Sequence, residues 1–189
     1  MRPIILFLGD SITIAYAPIV RELLTGEVEV RLPEDNAGTS TNLLAHLDKW
    51  LSAPVDIIHF NCGLHDLAID PGASGPRVSV EAYTENLRTL RGRLEATSAQ
   101  LIWATITPVI DDWHKVAKGF CRHLADVRRY NDAARMVMTG LPMNDLYAKV
   151  IAAGLERCIC EDGVHMREYG NRLLAETVAQ LLRTRLSVP

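Results

Sequence analysis

The chain has 189 residues, of which 48% are hydrophobic, 23% charged and 6% aromatic, and its formal net charge is −3. That is enough chain for one domain around one core, residues 1–189, and too apolar for a disordered polymer. The slight acidity and the few aromatics argue against a nucleic-acid surface. No apolar run reaches the ~20 residues of a bilayer-spanning helix, so no membrane partner is expected.

Ile4-Ile5-Leu6-Phe7-Leu8 reads as a buried strand. It is shorter than the ~7–15 apolar residues of a secretory signal, so a cytoplasmic location is expected. A helix is expected over Tyr16 to Leu24, with Pro18 in its first turn and Gly26 as its stop. Val28 to Leu32 alternates as a short strand, followed by the turn-rich Pro33-Glu34-Asp35-Asn36-Ala37-Gly38. Thr41 to Leu51 sets Leu43, Leu47 and Trp50 on one helical face. Asp56 to Phe60 is a third strand, and residues 68–78, with two prolines and two glycines, form a loop.

Ser79 caps a long helix from Val80 to about Ala96, with Tyr83, Leu87, Leu90 and Leu94 as its buried stripe. Gln100 to Ile106 is a fourth strand closed by Thr107-Pro108, and residues 109–118 read as a solvated loop. A helix marked by Phe120, Leu124, Val127, Ala134 and Met138 follows. Leu141 to Leu146 is a short fifth strand, then come a helix to Ala153 and a last helix from Arg167 to Leu186. Arg122, Arg128, Arg129 and Arg135 read as a solvated basic face. Strands alternating with helices imply an α/β fold, a three-layer α/β/α sandwich with a parallel sheet of about five strands. In such a sheet the functional loops collect at the carboxyl ends of the strands.

Four polar segments leave or adjoin those ends: Gly9-Asp10-Ser11-Ile12, Asn36-Ala37-Gly38-Thr39-Ser40, Gly63-Leu64-His65-Asp66 and Asp162-Gly163-Val164-His165. Taken singly, each has an ordinary structural reading. Ser11 suits a helix cap, Gly38 suits a turn, and Asp162 with His165 suits a surface turn. Together they are more specific. A serine at a helix start lies among unpaired N–H groups, and a carboxylate three residues before a histidine can fix its tautomer.

The set resembles the SGNH hydrolases, the GDSL-type esterases and lipases. Gly9-Asp10-Ser11-Ile12 is similar to the first motif of that family, Gly38 to the glycine of the second, and Asp162-Gly163-Val164-His165 to the last. Gly63-Leu64-His65-Asp66 is similar to the third motif, Gly-x-Asn-Asp, with His65 in place of the asparagine. Ile106-Thr107-Pro108, Tyr130-Asn131 and Tyr169-Gly170 also resemble family text, so the likeness spans nearly the whole chain.

The resemblance implies the flavodoxin-like SGNH fold and a serine esterase acting on a small-molecule acyl ester. Ser11 would be the nucleophile, His165 the base and Asp162 its orienting acid. The N–H groups of Ser11 and Gly38 would hold the oxyanion, with the His65 imidazole as third donor. Asp10, Asp66 and Trp113 are weaker candidates for substrate contacts. Small O-acyl groups, such as acetyl groups on carbohydrate, are the expected substrates. The altered third motif leaves a second reading, a catalytically weakened scaffold that binds ligand. No cofactor or metal is expected. The spacing of His59, Cys62 and His65 invites a metal, but His59 falls inside a strand. Cys62, Cys121, Cys158 and Cys160 show no pairing framework and read as reduced. A nucleotide site is disfavoured because neither Gly-rich phosphate motif is present.

Overall fold

In the computed structural model, which describes residues 2–186, five strands form one parallel sheet in the order β2-β1-β3-β4-β5. The strands are β1 (Ile4–Leu8), β2 (Glu29–Arg31), β3 (Ile57–Phe60), β4 (Gln100–Ala104) and β5 (Met143–Asn144). The helices are α1 (Ser11–Leu23), α2 (Ser40–Trp50), α3 (Val80–Glu95), α4 (Asp111–Lys118), α5 (Leu124–Val137), α6 (Leu146–Ala153), α7 (Leu155–Cys158) and α8 (Glu168–Leu186). They cover both faces of the sheet. α1, α6 and α7 pack with α8, while α3 packs with α2 and α5.

The central strands β1 and β3 are apolar apart from His59, as suits strands with helices on both faces. Chain order reverses between them: β1 leads outward to β2, and β3 leads the other way to β4. The loops after β1 and β3 therefore part at this point and open a crevice. Ser11 follows β1, and His65 lies in the loop after β3.

The three-layer architecture stands as expected, and three local readings are corrected. α1 starts at Ser11, not Tyr16, because the Asp10 carboxylate accepts the Ile12 N–H at 3.0 Å and caps it. Pro18 therefore lies inside this helix rather than in its first turn. Residues 111–118, expected as loop, form α4, ended by Gly119 in the left-handed region. The four-residue α7 was not expected.

Family-like text away from the rim has a structural use. The Asn131 side chain accepts from the Ile106 N–H at 2.8 Å and donates to the Ile106 carbonyl at 2.9 Å. It replaces the missing ladder partner of the chain as it leaves β4. All four cysteines are free. No helix among the described residues is long and apolar enough to cross a membrane.

Candidate active site

Ser11 is the first residue of α1, so its N–H has no acceptor within the helix. Its side chain lies 3.0 Å from His165 Nε2. His165 Nδ1 lies 2.5 Å from Asp162 Oδ2. An ionised carboxylate only accepts, so Nδ1 carries the proton, and Nε2 is left to accept the Ser11 hydroxyl proton. Serine, histidine and aspartate thus form one hydrogen-bonded relay across 154 residues of sequence.

The segment that carries Asp162 and His165 is a small hairpin. Ile159 bridges Met166, the Cys160 N–H donates to the His165 carbonyl at 2.7 Å, and the Arg167 N–H donates to the Cys158 carbonyl at 2.7 Å. Asp162 Oδ1 accepts the N–H groups of Val164 and His165 at 3.0 and 2.9 Å. Lys118 Nζ lies 3.2 Å from Asp162 Oδ2. Burial alone would raise the Asp162 carboxyl. The His165 ring, these two amides and Lys118 outweigh it and hold the group well below the usual carboxylate range. The His165 ring is therefore oriented by a carboxylate that stays ionised.

Gly163, at the tip, has φ +73°, and a Cβ there would come within 2.5 Å of the His114 N and 2.6 Å of the Ile110 O. The Ile110 N–H donates to the Gly163 carbonyl at 2.9 Å. The glycine thus lets the hairpin that carries Asp162 and His165 sit directly on the start of α4.

Gly38 also has a positive φ, +62°, and its N–H donates to Asn36 Oδ1 at 2.8 Å. The expected oxyanion donor is therefore engaged by an exposed side chain in this structure. His65 lies at the Ser11 cavity beside Leu64, Phe120, Arg122 and His165. Burial lowers its pKa; Asp10 opposes the shift, while Arg122, Arg77 and His165 reinforce it, so the imidazole is neutral at pH 7.

The weaker candidates do not face that cavity. Asp10 is buried as the α1 cap, with Oδ2 unpartnered, and burial raises its pKa. Asp66 is buried and accepts the Ser40 N–H at 2.9 Å and the Ser40 hydroxyl at 2.5 Å. It ties the loop after β3 to the start of α2, so its role is structural. Trp113 is half-buried in α4 and does not line the cavity. His59 packs in the core with its ring 5.0 Å from Phe7, so the His59–Cys62–His65 spacing does not form a cluster. Among the described residues no group of metal-ligating side chains assembles.

Two residues read as surface groups prove to be inside. His114 is 0% exposed, with Nδ1 3.1 Å from the Asp162 carbonyl and Nε2 3.1 Å from Arg122 Nη1. The carbonyl and the guanidinium together set its tautomer: Nδ1 donates and Nε2 accepts. Arg122 is 5% exposed and donates from Nε to the Leu64 carbonyl at 2.5 Å. It precedes α5 rather than standing on its basic face. Nothing in local patterning marks it, because the chain is pinned there by the paired backbone bonds of Cys121 and Ile69, both 2.9 Å.

The cavity at Ser11 holds about 210 Å³. A larger groove of about 400 Å³ lies by β2, lined by Leu6, Arg31, Leu32, Pro33, Lys49 and Trp50. It contains no nucleophile beside a base, so chemistry rather than size selects the site.

No protein-family model and no curated protein sequence matches the chain. Solved structures do. The acetyl xylan esterase AlAXEase matches with TM-score 0.77 at 18% identity, over 95% of this chain and 99% of that one. A lipase/acylhydrolase from Enterococcus faecalis matches with TM-score 0.73 at 21% identity, over 98% and 97%. Axe2, an acetylxylan esterase from Geobacillus stearothermophilus, matches with TM-score 0.72 at 17% identity, over 99% and 95%. The chain therefore has the α/β/α fold of the SGNH hydrolases. The residues that resemble that family's motifs meet at one rim of the fold, with Ser11, His165 and Asp162 in hydrogen-bonded sequence.

Proposed function

We propose that this protein is a serine esterase that hydrolyses small O-acyl esters. The observation that carries the reading is the Ser11–His165–Asp162 relay, with its nucleophile at the unpaired start of α1. Ser11 Oγ attacks the acyl carbonyl and gives its proton to His165 Nε2. The negative charge that forms on the carbonyl oxygen is held by the Ser11 N–H, the Gly38 N–H and the neutral His65 ring. For Gly38 this requires the exposed Asn36 side chain to yield its hydrogen bond to the oxyanion. His165 then passes the proton to the departing alcohol, leaving an acyl-serine. Water, deprotonated by His165, hydrolyses that ester and regenerates Ser11.

The small cavity supports a short acyl group. The two acetyl xylan esterases among the structural neighbours support acetyl groups on carbohydrate as the first substrates to try. The test is hydrolysis of 4-nitrophenyl acetate and acetylated sugars by wild type and Ser11→Ala, with fluorophosphonate labelling of Ser11. The expected result is labelled wild type and a loss of at least ~10³-fold in kcat for the variant. Equal activity in Ser11→Ala overturns the assignment.

A further inference from the structure

Arg122 does more in this cavity than its two protein contacts require. Its Nε is committed to the Leu64 carbonyl and its Nη1 to His114 Nε2. Nη2 has no hydrogen-bond partner among the described residues, yet it is not among the polar atoms sealed from solvent. The side chain is 5% exposed and lines the same cavity as Ser11 and His165. The guanidinium carbon lies 4.9 Å from the centre of the Phe120 ring. Lys118 lines the same cavity and brings a second cation, shared with Asp162.

Asp10, Asp162 and Asp70 favour the charged guanidinium, but among the described residues none of them hydrogen-bonds it. Asp162 already serves His165 and Lys118, and Asp70 is paired with Arg77. Asp10 is the remaining acid close to Arg122; it is buried as the α1 cap, and among the described residues it makes no hydrogen bond to the guanidinium. A cation this buried is costly to maintain, and an open donor edge on it suits a compact anion.

We propose that Arg122, assisted by Lys118, forms an anion subsite beside Ser11, so that the preferred substrates are esters bearing a carboxylate close to the scissile bond. This rests on the esterase reading and narrows its substrate class. The open edge of the guanidinium donates to the carboxylate, and the surrounding Leu64, Phe120 and Val164 limit water around the pair.

The test compares kcat/KM for 4-nitrophenyl acetate, 4-nitrophenyl hemisuccinate and 3-carboxy-4-nitrophenyl acetate. The second places the anion on the acyl side and the third on the alcohol side. Wild type is expected to prefer one of the two anionic esters over the neutral one by about 10-fold or more. The preferred ester identifies the side. That preference is expected to collapse in Arg122→Gln and to survive in part in Arg122→Lys, which a purely structural role for the guanidinium would not produce. No preference in wild type, or a preference that persists in Arg122→Gln, overturns the proposal.

If Arg122→Gln does not fold, the readout is competitive inhibition of 4-nitrophenyl acetate hydrolysis by succinate in wild type and in Lys118→Gln. Inhibition that weakens in the variant supports the subsite, and its absence from wild type overturns it. If the protein neither labels with fluorophosphonate nor cleaves any ester, the esterase reading has failed. Calorimetric binding of succinate to the wild-type protein then decides the subsite alone: saturable binding supports it, and none overturns it.

Discussion

His65 is the third donor of the proposed oxyanion hole. Its ring lies at the Ser11 cavity and is neutral at pH 7, so it offers one N–H and one acceptor nitrogen. As the third donor it would stabilise charge only in the transition state. Its loss would then lower kcat with little change in KM. We expect His65→Ala to reduce kcat on an accepted ester by about 10²–10³-fold. His65→Asn, which supplies an amide donor on a shorter side chain, should recover part of that loss. Full kcat in His65→Ala would remove the residue from the hole. The position of His65 was legible in the third motif, but its protonation state was not. That state is set by burial and by Asp10, Arg122 and Arg77, which come from three different stretches of chain.

At the scale of elements, the Ser11–His165–Asp162 hydrogen-bonded relay depends on the hairpin of residues 158–167 resting on α4. α4 itself was not legible. Asp111-Asp112 and the sparse apolar residues after it look like loop, and the helix is held by contacts from outside it. Asp111 accepts the Leu124 N–H at 2.8 Å, and the Gly163 carbonyl accepts the Ile110 N–H. The Gly163 turn tests this junction. A Cβ there meets backbone rather than flexible side chain, in a conformation that costs other residues about 1–3 kcal/mol. Gly163→Ala should lower the melting temperature by roughly 3–10 °C. It should also depress kcat, because Asp162 is the preceding residue. Unchanged melting and unchanged rate would show that the hairpin does not need this contact.

At the scale of the molecule, the sheet order places the loops after β1 and β3 at one crevice, and Asp66 braces its floor against α2. Burial raises the Asp66 carboxyl to about 6, although the hydrogen bonds from Ser40 pull the other way. In the unfolded chain the same group titrates near 4. The native state therefore holds the proton more tightly. The stability tied to it is complete below pH ~4 and is lost as pH rises to about 6. The loss is about 2–3 kcal/mol, with the opposing Ser40 bonds to the ionised form already included. Urea unfolding of wild type and Asp66→Asn at pH 4 and pH 7 checks it. The stability of wild type relative to the variant should fall between the two pH values, and a constant difference would exclude the titration.

The sequence by itself determined the layers, the strand count and the four polar segments that make the rim. Each of these rests on local periodicity or on short-range motifs that one stretch of chain carries alone. The buried stripe of α3 and its Ser79 cap are of this kind. Only the tertiary structure decided that Asp10 and Asp66 are buried braces, that the Gly38 N–H is held by Asn36, and that Arg122 and His114 line or support the site. The reason is physical. Arg122 owes its burial to Leu64, His114, Phe120 and the Cys121–Ile69 bridge, and most of those groups meet it only after the sheet has brought distant loops together.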